Sequence, residues 1–240
     1  MGTGDSSFGT SEWGLLRDAK SLRVAAGIFT FWAGAINGLS SIALVFGRVS
    51  HMSGRVIDQG QFLLHNSLGA LLVSTLVFSF FAGTIIGGFT LPRFKLTRAL
   101  LISMLPIFVG VLMIHLGIHG SSAKSYEIGR FVMAFLLSLG MGMQNSVTSQ
   151  TRLGRTTHMT GEITDLGVCV AKGNWPRALF LSTKYFAFFC GAIGGYLGAQ
   201  SSPLMTLLVA ALGITTTTMY YERWDMMVMP ANKKNEVFRL

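Results

Sequence analysis

The sequence predicts an all-α membrane protein: six transmembrane helices forming two inverted three-helix repeats, with re-entrant or broken-helix segments after helices 1 and 4. Three observations carry this. Charged residues are only 12% of the 240, half the residues are hydrophobic, and the mean hydropathy is +0.53; a soluble domain usually carries about a quarter charged residues. Six runs reach or approach the roughly 20 apolar residues that a crossing helix needs. A polar stretch also occurs twice, GRVSHMSGRVID at residues 47–58 and GRTTHMTGEITD at 154–165.

The six predicted spans are residues 24–46, 68–91, 99–118, 128–147, 178–200 and 203–221. Spans 1, 2 and 5 carry the GxxxG pairs Gly34/Gly38, Gly83/Gly87 and Gly191/Gly195. Such pairs let helix backbones approach closely, either within one chain or between protomers, so a homo-oligomer through the Gly-rich faces is one use of them. Pro106 is placed to kink span 3. Residues 1–20 hold no apolar core of a secretory signal.

Lys and Arg set the orientation. Arg17, Lys20 and Arg23 precede span 1; Arg93, Lys95 and Arg98 follow span 2; Arg152, Arg155, Lys172 and Arg177 follow span 4; Arg223, Lys233, Lys234 and Arg239 follow span 6. The opposite side has only Arg48, Arg55, Lys124 and Arg130. The bias places both termini, tails 1–23 and 222–240, in the cytoplasm, and the chain in the cytoplasmic (inner) membrane. Lys184, inside span 5, is read as snorkelling toward the basic side. The net charge of +9 is explained by these loops, so nucleic acid is not expected as a partner; the bilayer is.

The repetition extends past the polar stretch. SFFAGTIIGG (79–88) resembles AFFCGAIGGY (187–196), and Asn37 and Asn145 precede the two motifs at nearly equal distances. The chain thus divides into residues 24–120 and 121–221. Each copy holds three spans, an odd number, so the second starts on the opposite side of the membrane and the copies are related by a pseudo-two-fold axis in its plane. Irregular backbone at membrane depth is tolerated only against protein or water.

The paired motif, with GMGMQN before its second copy and TTHMTGEITDLG within it, resembles a bacterial membrane family of unknown function, DUF1275 (UPF0700, YoaK-like), over roughly residues 24–221. Arg55 and Glu162 stand where members of that family often carry Asn or Thr. The resemblance implies a multi-span membrane protein and leaves its chemistry open.

Within the motifs, Ser53 and Thr160 are good N-cap types, and Gly54 and Gly161 allow close approach. Two inverted helix N-termini directed at one region favour an anion or polar group. His51, Arg55 and Asp58 share one helical face, as do His158, Glu162 and Asp165, and charges at membrane depth read as functional by default. Arg55 and Glu162, of opposite sign at matching positions, are expected to pair between the repeats. The pathway residues are then His51, Ser53, Gly54, Asp58, His158, Thr160, Gly161 and Asp165, with Asn37 and Asn145 from spans 1 and 4. A metal is not assigned: each Met sits about 100° from its neighbouring His on a helix, and each Asp two turns away. Proton coupling through His and Asp fits the same residues. No cofactor is called for, and no nucleophile accompanies His158 and Glu162. Cys169 and Cys190 are assigned to packing. The reading is a transporter or channel for a small polar or anionic solute; an intramembrane enzyme on a lipid-like substrate and a non-transporting assembly protein are the alternatives.

Overall fold

The computed structural model describes residues 8–117 and 123–220, with side chains from Leu22 and Tyr126 onward in those two stretches. The tails, apart from the start of the first helix, lie outside them, as do Ile118 and Tyr221, the expected ends of spans 3 and 6. The described residues are helical, with no strand: α1 (Phe8–Leu39), α2 (Met52–His65), α3 (Ser67–Arg93), α4 (Leu96–His115), α5 (Ala123–Ser149), α6 (Met159–Ala171), α7 (Trp175–Ser201) and α8 (Pro203–Tyr220). One π-turn, Ser40–Leu44, extends α1. Among the described residues, six stretches are long and apolar enough to cross a membrane: Leu22–Leu44, Ser67–Arg93, Leu96–His115, Tyr126–Ser149, Trp175–Ser201 and Pro203–Tyr220. Helix α4 runs through Pro106.

Helix α1 packs on α7, and α3 on α5. Both seams are built on glycine. A Cβ at Gly34 or Gly38 would strike the backbone of Phe188 or Ala192, and one at Gly191 or Gly195 would strike Phe31 or Ala35. Across the other seam, Gly83 and Gly87 lie against Leu139 and Met143, and Gly142 against Phe80. Packing this close substitutes for hydrophobic driving force where lipid is as apolar as the side chains. The pattern is duplicated: α4 packs on α5 as α8 packs on α1, α2 on α3 as α6 on α7, and α4 meets α8.

The two short helices fold back as hairpin arms. Asn66 ends α2 and caps α3, accepting from the Gly69 amide at 2.9 Å. Asn174 likewise caps α7, accepting from the Arg177 amide at 3.3 Å. Gln59 on α2 then reaches Ser74 on α3 at 2.9 Å. Replacing either asparagine by alanine removes a cap worth ~1 kcal/mol; each single variant is expected to lower the thermal midpoint by a few degrees in detergent, with the double variant near their sum.

Candidate functional site

Helix α1 ends at the π-turn, where Phe46 adopts φ 53°. This left-handed bend is costly for a bulky residue. It is held from α5: Arg130 donates to the Val45 carbonyl at 3.2 Å and stacks over the Phe46 ring at 5.2 Å. The chain then turns back along α1. Asn37 receives it, accepting from the Ser50 amide at 3.2 Å and donating Nδ2 to Ser50 Oγ at 2.9 Å. Asn37 lies seven residues before Leu44, so the chain has returned about 10 Å along the helix before α2 starts at Met52. On the far side, Ser138 of α5 donates to the Val49 carbonyl at 3.1 Å.

The second motif returns in the same way. After α5 the chain turns through Gly154, at φ 68°, and Thr156 Oγ1 comes within 3.2 Å of Thr148 Oγ1. Thr157 then meets the first motif directly: Ser50 Oγ donates to its carbonyl at 3.0 Å, across 107 residues of sequence. That separation is the motif offset, so corresponding positions of the two copies touch. Both short helices begin within two residues of this contact.

The N-caps are His51 and His158, neither with a side-chain capping bond. This corrects the assignment of Ser53 and Thr160, which lie inside the first turn and are exposed. The helices start earlier because tertiary bonds to Ser50 and Thr157, rather than local capping, fix where the extended chain ends. Gly54 and Asp165 are also exposed, while His158, Gly161 and Asp58 are half-buried. Cys190 is exposed rather than packed.

The expected Arg55–Glu162 pair does not form; each residue has a nearer partner. Arg55 bonds Asp58 at 2.9 Å, one turn along α2. Glu162 bonds Lys184 of α7 at 2.8 Å, with both side chains buried. Lys184 therefore does not snorkel: the α6–α7 hairpin delivers a carboxylate to it. Sequence reasoning saw this lysine and missed its partner.

A groove of 510 Å³ runs between α1 and α7, lined by both motifs (Arg48, His51, Met159), by Asn37 and by the α7 aromatics Tyr185, Phe188, Phe189 and Tyr196. Of the expected pathway residues, it gathers Asn37 and His51. Arg55 lines a separate cavity of 210 Å³ with Glu127 and Arg130. His51 stacks edge-on to Phe188, ring centres 5.8 Å apart. Burial, together with the positive charge of Arg48 and with His158 and Arg55, lowers its pKa from 6.5 to about 4. It is therefore neutral near pH 7, and the cation of the groove is Arg48, which is exposed. On α5 and in the second motif, Gln144 is wholly buried with neither amide atom partnered, and Asn145 Oδ1 and Thr157 Oγ1 are also buried without partners.

Six helices long and apolar enough to cross a membrane, with two half-length arms whose leading segments touch at Ser50 and Thr157, define the described residues as a multi-pass helical membrane protein. The chain belongs to the family described as "Protein of unknown function (DUF1275)", whose model matches residues 25–220. No curated protein and no solved structure matches it.

Proposed function

We propose that the protein is a transporter or channel of the cytoplasmic membrane, carrying a small polar or anionic solute along a pathway between two inverted repeats, with both termini cytoplasmic. The observation that carries this is the Ser50–Thr157 contact. Corresponding residues can touch only where an axis relating the copies passes between them, and both half-length helices start there. Three spans per copy make that axis lie in the membrane plane. Helix N-termini without side-chain caps present amide donors and partial positive charge to whatever enters. Arg48 adds a full charge in the groove.

One observation favours a second reading, an enzyme on a lipid-like substrate. The groove opens sideways along α7, where Tyr185, Phe189, Ile193 and Tyr196 are exposed. His51, neutral near pH 7, lies in it, as does the Ser41 hydroxyl, which donates to the Gly38 carbonyl at 2.8 Å.

The test is flux in proteoliposomes with chloride, formate and urea as probes. Wild type is expected to pass at least one of them above protein-free vesicles. Arg48→Gln is expected to lower anion flux about tenfold, the effect of roughly 1.4 kcal/mol, and to leave urea unchanged. No flux of any probe above protein-free vesicles sinks the transport reading.

A further inference from the structure

Lys184 has no exposed surface, and its one ion-pair partner among the described residues is Glu162. Glu162 sits in the first turn of α6 and is 8% exposed; its Oε1 holds Lys184, and its Oε2 is buried without a partner. The backbone closes over the pair at Gly154, where an added Cβ would lie 3.3 Å from Lys184 Nζ and 3.7 Å from Glu162 Oε1. The Phe180 ring lies 5.6 Å from Lys184 Nζ, and the other charges nearby are positive. Arg155 and Arg177 both act on Lys184 electrostatically, and the Arg155 guanidinium reaches Gly161, 3.1 Å from where its Cβ would be. Helix α1 packs here through Gly27 against Thr183; from Val24 to Leu39 it has no titratable side chain, with Arg23 one turn beyond Gly27. Helix α8 contributes only Tyr220.

One carboxylate thus stands among several cations at the start of a helix, which is the arrangement that binds anions. We propose that Glu162 is the resident occupant of a small-anion site formed by Lys184, Arg155 and the first turn of α6, and that a monovalent anion takes its place on Lys184 when the carboxylate leaves or is removed. Chloride and formate are of the right class: single charge, small volume, and hydrogen-bond acceptance only. The matching position in the first repeat is Arg55, already paired with Asp58, so the site belongs to the second repeat alone. Its part in transport rests on the reading above; the site itself does not.

The experiment is thermal unfolding of purified protein in sodium gluconate against sodium chloride and sodium formate at equal ionic strength. Glu162→Gln leaves Lys184 buried without a counter-charge, so an anion that binds the folded state alone raises its midpoint. The expected result is a midpoint several degrees higher in chloride or formate than in gluconate for Glu162→Gln. Wild type, its site filled by its own carboxylate, shows no such difference, and neither does Glu162→Gln with Lys184→Met, its cation removed. Glu162→Ala, purified in acetate, covers the case in which the glutamine variant does not fold. Equal midpoints in all three salts for Glu162→Gln, or failure of both variants to fold in any anion, overturns the proposal. Anion-specific stabilisation without flux in vesicles leaves the site standing and removes the transport reading.

Discussion

Gly191→Val is expected to cost more than about 3 kcal/mol and to leave little folded protein in detergent, because overpacking with nowhere to yield exceeds the usual 1–3 kcal/mol range. The new Cβ would meet the backbone of Phe31, not the end of a flexible side chain. Relief requires α1 and α7 to move apart. That would also strip Gly34, Gly38 and Gly195 of their contacts, since all four glycines lie on one seam. Gly60→Ala is the control. It lies on exposed α2 with nothing within 4 Å of its added Cβ, and removing a helical glycine there is expected to stabilise by ~0.5–1 kcal/mol. Midpoints from size-exclusion thermal challenge separate the two. Similar values for Gly191→Val and wild type would mean that the α1–α7 seam does not hold the fold.

The spans were legible because membrane crossing is a property of runs: 20 apolar residues declare themselves without any partner. The motif repetition was equally legible. The caps Asn66 and Asn174 were missed, although each bonds an amide only three residues away. What failed were the side-chain pairings, whose partners lie far away in sequence. Arg55 and Glu162 correspond in sequence, but correspondence says nothing of separation. The copies touch at Ser50 and Thr157, and five residues further on each charged residue is bonded within its own repeat, Arg55 to Asp58 on α2 and Glu162 to Lys184 on α7. Lys184 and Glu162 stand eleven residues to either side of Gly173, the left-handed turn between α6 and α7. That symmetry was readable only once α6 and α7 were known to form a hairpin. The N-caps failed for a related reason: capping preference ranks side chains locally, whereas Asn37 and the partner motif decide where the extended chain stops.

Asn37→Leu is the substitution expected to separate the architecture of the motif from mere helix packing. Leucine keeps the number and branching of heavy atoms and removes both the acceptor for the Ser50 amide and the donor to its hydroxyl. Interhelical hydrogen bonds in membranes average only ~0.6 kcal/mol. A buried N–H left without a partner adds roughly 1–3 kcal/mol, so the total is about 2 kcal/mol. Ser50→Ala loses the bond to Thr157 but keeps its amide on Asn37, and is expected to cost about half as much. The two residues share one network, so the double variant should fall short of the sum of the singles, the signature of coupled sites. Ser53→Ala, exposed in the first turn of α2, should change nothing measurable. If Asn37→Leu proves as harmless as Ser53→Ala, the return of the chain to Asn37 is not what places the start of α2. If it destabilises as expected, any flux through the protein should fall with it, because the same bonds hold the first motif against the second.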